Sequence, residues 1–286
     1  MSHPAERRAW PRCDAVKNRS RLQFATPEGG RRIEARLVNI SQDGALVVAE
    51  IPPPHVTPIW LRIESPVKTD WIAAVPVRAQ IPPSPDEVAR YSGLHAAAAN
   101  GDVAAIEQLI AGVADINARD GQGCTPLHVA TYAKQYAAAR ELLKRGADAN
   151  ALERQRYDMV TIAAVANDVE RLRTALTGGG NAKNITSPYD GTALIAAAHL
   201  GHAAAVRLLI DASAPLDHVN NLGWTALIEA VILGDGGKNH RDSVRALVAA
   251  RANLDLADRQ GVTPLAHARR SGYGEIVSIL EAAGAK

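Results

Sequence analysis

The chain has little that could tie it together covalently. Its 286 residues contain two cysteines, Cys13 and Cys124, far apart in sequence. Two thiols so placed make neither a disulfide framework nor a metal set, and they suit a reducing compartment. Aromatic residues amount to only 4%, with a single phenylalanine. Any core must therefore be built from aliphatic side chains, for which an apolar content of 47% is ample. No run approaches the ~18 apolar residues that a membrane-spanning helix requires. The opening MSHPAERRAWPR has no apolar centre and does not read as a signal peptide. The expected setting is the cytoplasm. Net charge is only +2, so the whole-chain field selects no class of partner. The charge is uneven, however. The first 36 residues carry nine Lys or Arg against four acids, which makes the N-terminal end the anion-facing one.

What is present is organised in two parts. From about Lys17 to Ala79 the pattern is one of short alternating runs. Arg21–Ala25, Arg31–Ile40, Ala45–Ala49, Ile59–Ile63 and Trp71–Ala79 read as strands, separated by Pro27-Glu28-Gly29-Gly30 and Ser41-Gln42-Asp43-Gly44. Asp-Gly between apolar runs is a hairpin signal. The expectation is a small β-barrel or sandwich over residues 1–83, closed by Ile81-Pro82-Pro83-Ser84-Pro85. That proline-rich stretch is a linker, because its prolines suit neither a central strand nor a helix interior.

After the linker the chain repeats itself. Asp120–Ala151 is one unit: a polar turn at Gly121 and Gly123, a helix opened by Thr125-Pro126, a break near Lys134, and a second helix ending at Gly146. Leu127, at the start of its first helix, recurs as Leu94, Leu194, Leu227 and Leu265, with Val160 in the one degenerate copy. The turn after the second helix recurs at Asn117, Asn150, Lys183, Asp217 and Asp255. A pair of short helices cannot bury its own apolar face and needs copies on either side. This period, with TPLHVA at 125–130, resembles the ankyrin repeat. The resemblance covers residues 86–286, in repeats of about 86–118, 119–152, 153–185, 186–219, 220–257 and 258–286. It implies an all-α-type solenoid of helix-turn-helix and β-turn units. Extra residues at Asp235–Asn239 fall between the two helices of the fifth repeat.

Two motifs in the N-terminal part carry chemistry. Arg8-Ala9-Trp10-Pro11-Arg12 is R-x-x-x-R, and Asn39-Ile40-Ser41-Gln42-Asp43-Gly44 is N-x-S-x-x-G at a strand end. In that order on a β domain they resemble the PilZ family of cyclic di-GMP receptors, over about residues 6–80. Arginine suits such a ligand, because its planar fork pairs with phosphate or with guanine O6 and N7 and its face stacks on a base. The resemblance implies that Arg8 and Arg12 hold phosphates and guanine, with Arg7 as a helper. Asn39, Ser41 and Gly44 would contact a guanine edge. It implies a bacterial origin and a regulatory nucleotide rather than a cofactor. One departure stands against it: after Val77–Gln80, where the family continues into a closing strand, this chain runs into Pro82-Pro83. The alternative is a degenerate, non-binding domain beside an array that acts as an interaction scaffold. Nucleic-acid binding by the basic end is the weaker rival, because few aromatics interleave the charges.

Ankyrin arrays imply protein binding through hairpin tips and the concave face of the first helices. The corresponding positions here are Tyr132, Tyr157, Tyr189, His199, Leu200, Trp224, Ile232, Leu233, Arg259 and Arg270. Trp, Tyr and Arg are typical of interface centres. His95 and His128 occupy the structural histidine of TPLH. His199 and His202 lack ligand-spaced partners, so no metal is expected. Gly178-Gly179-Gly180 has no following Lys and is no phosphate loop. No nucleophile or acid–base set can be named, and no enzyme activity is expected.

Overall fold

The computed structural model describes the backbone of five strands between residues 20 and 74, and residues 82–286 apart from Asp235. The chain divides into two compact units, residues 1–79 and 80–286.

In the first unit the strands are β1 (Ser20–Thr26), β2 (Gly29–Ser41), β3 (Gly44–Ala49), β4 (Ile59–Ser65) and β5 (Ile72–Ala74). They form one antiparallel sheet in the order β3-β2-β1-β4-β5. Ser41 pairs with Gly44 across the β2–β3 turn, and a register shift lies between Leu37 and Asn39. Such a shift bends a strand and re-aims its residues. The sequence predicts a small β-barrel or sandwich; the described strands make one sheet, with β3 and β5 at its ends. Residues 75–81, where a closing strand would have to begin, lie outside the described residues, as do the arm that carries Arg7, Arg8 and Arg12 and the side chains of Asn39 and Ser41.

The second unit opens with a short helix that the periodicity does not show, α1 (Pro85–Ala89). Ser84 and Glu87 cap it reciprocally, each side chain accepting from the other's backbone N–H. Six helix pairs follow: α2 (Gly93–Asn100) with α3 (Val103–Ala111), α4 (Pro126–Tyr132) with α5 (Tyr136–Lys144), α6 (Met159–Val165) with α7 (Val169–Thr177), α8 (Ala193–His199) with α9 (Ala203–Asp211), α10 (Ala226–Ile232) with α11 (Lys238–Ala249), and α12 (Pro264–Arg270) with α13 (Gly274–Ala282). Between α7 and α8 a two-residue ladder joins β6 (Ile185–Thr186) to β7 (Gly191–Thr192).

Five of the six first helices start on a side-chain cap. Thr125, Thr192, Thr225 and Thr263 accept from the N–H three residues on. In the eroded third repeat Asp158 does the same for α6, so the helix survives the loss of TPLH. Only Ser92, in the first repeat, makes no such bond. The insertion in the fifth repeat is only partly a loop. Lys238 and Asn239 join α11, which runs to 12 residues where α9 and α13 have nine.

The core is an unbroken stack. First helices pack in the series α2, α4, α6, α8, α10, α12. Leu127, Val160, Leu194, Leu227 and Leu265 are all at most 2% exposed. On the second helices Ile106, Leu142, Leu172, Leu209, Leu247 and Leu280 are wholly buried. Every repeat thus donates one large side chain from each helix to a core shared with its neighbours.

The residue just after each second helix is left-handed: Gly146, Gly179 and Gly284 in three repeats, but Val113, Ser213 and Arg251 in the others. Glycine adopts this conformation without Cβ strain, whereas a β-branched residue is forced into it. Val113 has φ 67° and is 91% exposed, so its side chain gains almost nothing from packing there. Val113→Gly should stabilise the protein by about 1 kcal/mol, the order of the left-handed penalty. Gly146→Val should destabilise it by at least as much. Urea denaturation of the two variants beside the wild type measures both.

Candidate protein-binding face

The face begins with five turns of one design. A single acceptor side chain in each turn takes two backbone N–H groups, two and four residues on. Asp120 serves Gln122 and Cys124; Glu153 serves Gln155 and Tyr157; Ser187 serves Tyr189 and Gly191; Asn220 serves Leu222 and Trp224; Asp258 serves Gln260 and Val262. These side chains do for the turn what a strand partner would do, because buried N–H groups need an acceptor. Two of the acceptors are held in turn from behind. Tyr91 donates to Asp120 at 2.6 Å, and His267 lies 2.7 Å from Asp258. Burial and the Asp120 bond push the Tyr91 hydroxyl well above its ordinary pKa.

Successive turns are also tied to one another. Arg154 N–H donates to the Gln122 carbonyl, Ser187 N–H to Arg156, and Asn221 N–H to Tyr189. Arg119 reaches the Leu152 carbonyl, and Arg259 reaches that of Asn221. The turn tips are therefore rigid and in register. Their two outermost positions, one and two residues past the acceptor, are the ones that the turn itself leaves open to variation.

The predicted contact residues do not all reach the surface. Tyr157 is 2% exposed, with its backbone clasped by Glu153 and its carbonyl facing His128, and Leu233 is 5% exposed. Neither offers contact area, and both leave the row. Leu233 is buried where the inserted segment folds back, near Gly234, whose carbonyl accepts from Tyr273. Tyr132, His199 and Ile232 are half-buried near the ends of α4, α8 and α10, on one face of the stacked first helices. His199 Nδ1 lies 3.3 Å from the fully buried Glu229 carboxylate, which also accepts from Asn220 at 2.7 Å. This polar chain joins the helix face to the fourth turn. Burial raises the Tyr132 hydroxyl pKa strongly, and that hydroxyl has no hydrogen-bond partner among the described residues. Tyr189 and Trp224 are half-buried in the turns, while Arg259 and Arg270 are exposed.

The structure adds residues that the repeat pattern does not single out. The exposed large apolar side chains among the described residues are Val113, Ile185 and Val219, beside Leu200, which the repeat pattern already names. Ile185 and Val219 stand just before the turn acceptors Ser187 and Asn220, and Leu200 follows α8. Pro188 is exposed at the third of the five tips and Leu222 half-buried at the fourth. Aligning the turns on their acceptors would have found Pro188 and Leu222, since both follow the acceptor at an outer position.

The histidines behave as framework. Nδ1 of His128 accepts from Thr125 N–H at 3.1 Å, and Nε2 donates to the Tyr157 carbonyl of the next repeat at 3.2 Å. His95 Nε2 makes the equivalent bond to Cys124. Burial of the Cys124 thiol raises its pKa, with Asp120 adding to the effect. Among the described residues no group of three or more His, Cys, Asp or Glu could hold a metal, and no helix is long and apolar enough to cross a membrane.

A family model for ankyrin repeats matches residues 77–153 and 160–254. The chain belongs to the ankyrin repeat family. The array is similar to a solved ankyrin repeat domain from Acinetobacter baumannii AYE, with 47% identity and a TM-score of 0.65 over 68% of this chain and 98% of that one. It is similar also to the ankyrin repeat domain of Bcl-3, with 25% identity and a TM-score of 0.63 over 69% of this chain and 88% of that one. Among curated proteins, the ankyrin repeat protein YahD of Escherichia coli (strain K12) is 38% identical over 103 residues, 36% of this chain and 51% of YahD. An ankyrin repeat and KH domain-containing protein of Caenorhabditis briggsae is 36% identical over 100 residues, 35% of this chain and 4% of that protein. The chain thus spans about half the length of the first of these relatives and a small part of the second.

The ankyrin histidine supplies a pH test. Burial lowers the His128 pKa from 6.5 to about 4. The folded state holds the ring neutral, with Nδ1 as an acceptor. Its contribution to stability is therefore complete above pH 6.5 and is lost as pH falls towards 4, where the unfolded chain binds a proton that the folded one refuses. Urea unfolding free energies of the wild type and of His128→Gln, measured across this window, should differ in slope by about one proton. The comparison isolates His128 from Glu153 and Asp158, whose pKa values burial raises and whose contributions run the other way.

Proposed function

We propose that the array is a protein-binding module, and that its contact surface is the turn-and-first-helix side of the fourth and fifth repeats, around Trp224. The observation that carries this reading is that three of the four exposed large apolar side chains among the described residues, Ile185, Leu200 and Val219, fall within one stretch of the array, where Tyr189, Leu222, Trp224 and Ile232 are also partly exposed. Apolar side chains scattered singly need no explanation, but a group on one side of a molecule marks an interaction site. The rigid turns present that group without an ordering cost at the moment of binding. No catalytic constellation competes for the site. The test is affinity capture from source cells with the wild type and with Trp224→Ala/Leu222→Glu. A protein retained by the wild type and lost by the double variant, with folding unchanged by circular dichroism, is the expected outcome. Equal retention by both would place the contact elsewhere.

A second, finer reading concerns residues 6–80. The pair R-x-x-x-R and N-x-S-x-x-G supports a PilZ-like domain that binds cyclic di-GMP through Arg8, Arg12, Asn39, Ser41 and Gly44. The N-x-S-x-x-G run spans the turn between paired strands, with Asn39 opposite Leu46 and Ser41 opposite Gly44, a placement compatible with presenting short polar groups to a ligand. On this reading the nucleotide regulates and the array delivers the output. Calorimetric titration with cyclic di-GMP should give saturable binding that Arg8→Ala/Arg12→Ala removes. An absence of heat and of thermal shift would leave the interaction scaffold alone.

A further inference from the structure

The outer positions of the five turns form an ordered series. The residue after each acceptor is Gly121, Arg154, Pro188, Asn221 and Arg259, and the next is Gln122, Gln155, Tyr189, Leu222 and Gln260. Read along the stack, the central tips are apolar, and an arginine–glutamine pair stands on each side of them. Backbone bonds between the first four turns, and the Arg259 side chain on the Asn221 carbonyl, keep this order in space.

The charge on the tips is not cancelled locally. Glu153 and Asp258 are buried as turn acceptors. Asp190 is spoken for by Arg156 at 2.7 Å. The Arg154 guanidinium has no side-chain partner among the described residues, and Arg259 donates to a neutral carbonyl and keeps its charge. The side chain of Arg259 also lies against Gly223, where a Cβ would stand 2.5 Å from its Cγ. This contact fixes the cation at the edge of the fifth turn.

We propose that the partner contacts the tips of repeats three to six through a segment with an apolar centre and acidic residues on both flanks. The apolar part seats on Pro188, Tyr189 and Leu222, and the two carboxylate flanks meet Arg154 and Arg259. The inference deepens the protein-binding reading and rests on it. Paired end charges fix register and exclude like-charged competitors, while the desolvated centre supplies the affinity.

The test uses random peptides displayed on phage, selected against the full chain, with selected peptides remade and titrated by fluorescence anisotropy. Expected binders carry Asp or Glu on both sides of an apolar centre. They should weaken about tenfold against Arg154→Glu/Arg259→Glu, hold against Arg154→Lys/Arg259→Lys, and weaken with added salt. Unchanged unfolding midpoints show that the variants are folded. Binders with neutral or basic flanks that Leu222→Glu abolishes and Arg154→Glu/Arg259→Glu leaves unchanged would overturn the charge clamp and leave the face. Binders indifferent to all of these substitutions would overturn the face as well. An absence of enrichment would count against both.

Discussion

Each repeat buries its apolar side chains against its neighbours rather than within itself, and everything else in the array follows from that. Ile106, Leu142, Leu172, Leu209, Leu247 and Leu280 are wholly buried, one per repeat, at the centre of the second-helix layer. A pair of helices of seven and nine residues has no second face to close over them. Stability is then a sum of interfaces, so the polar groups at every junction must be satisfied by the adjoining repeat. That requirement accounts for much of the hydrogen bonding. Gln135 donates to the Ala99 carbonyl at the end of α2, and His202, His240 and Tyr273 sit on the carbonyls of Ala164, His199 and Gly234 in the same way. The last carbonyls of a helix have no partner within it; here each first helix in that set is capped by the repeat that follows.

One junction departs from the rule, and the departure is matched on both sides. After the second helix, the side chains of Asn117, Asn150, Asp217 and Asp255 accept from the N–H of Asp148, Asn181, Asn253 and Lys286 one repeat later. Between repeats three and four the acceptor position holds Lys183, which has no acceptor atom. The donor position holds Pro215, which has no N–H. Neither loss strands a buried group, because each removes what the other would have needed. The same junction carries the β6–β7 ladder and the contact between Thr161 and Thr186 hydroxyls at 2.9 Å. The bonding there has moved from the far turn to the hairpin.

Legibility in the sequence tracked how local the cause was. The helices of the array could be read from Thr125-Pro126, the Leu series and the cap at Gly146, because each signal acts within a few residues of itself. The third repeat, lacking TPLH, remained legible through Val160 and through Asn167-Asp168-Val169, which opens α7. Helix α1 was not legible, since Ser84 and Glu87 sit among prolines that argued for a linker. The contact face was legible only in part. Tyr157 and Leu233 occupy positions where exposure is set by the adjoining repeat: Tyr157 is covered beside the bond from His128, and Leu233 is covered where an insertion returns to the stack. Trp224, at the same place past its acceptor as Tyr157, stays half-buried, and Arg259, next to its acceptor, is exposed.

The same division explains why binding chemistry gathers at the turns. The first helices are spent on stacking: in α8 six of seven residues are buried, and only His199 is partly exposed. A helix packed on both sides has few positions left that can change without disturbing a neighbour, because close-packed interiors tolerate little change of volume. The turn acceptor holds the tip backbone, and the tip side chains are left with few structural contacts, such as those of Arg259 with the Asn221 carbonyl and of Asn221 with that of Pro188. Pro188-Tyr189, Asn221-Leu222 and Arg259-Gln260 can therefore differ completely while Ser187, Asn220 and Asp258 make the same pair of bonds beneath them. Variation costs less at the tips than one residue earlier, and the order of charge and apolar surface along the array is freer to follow recognition.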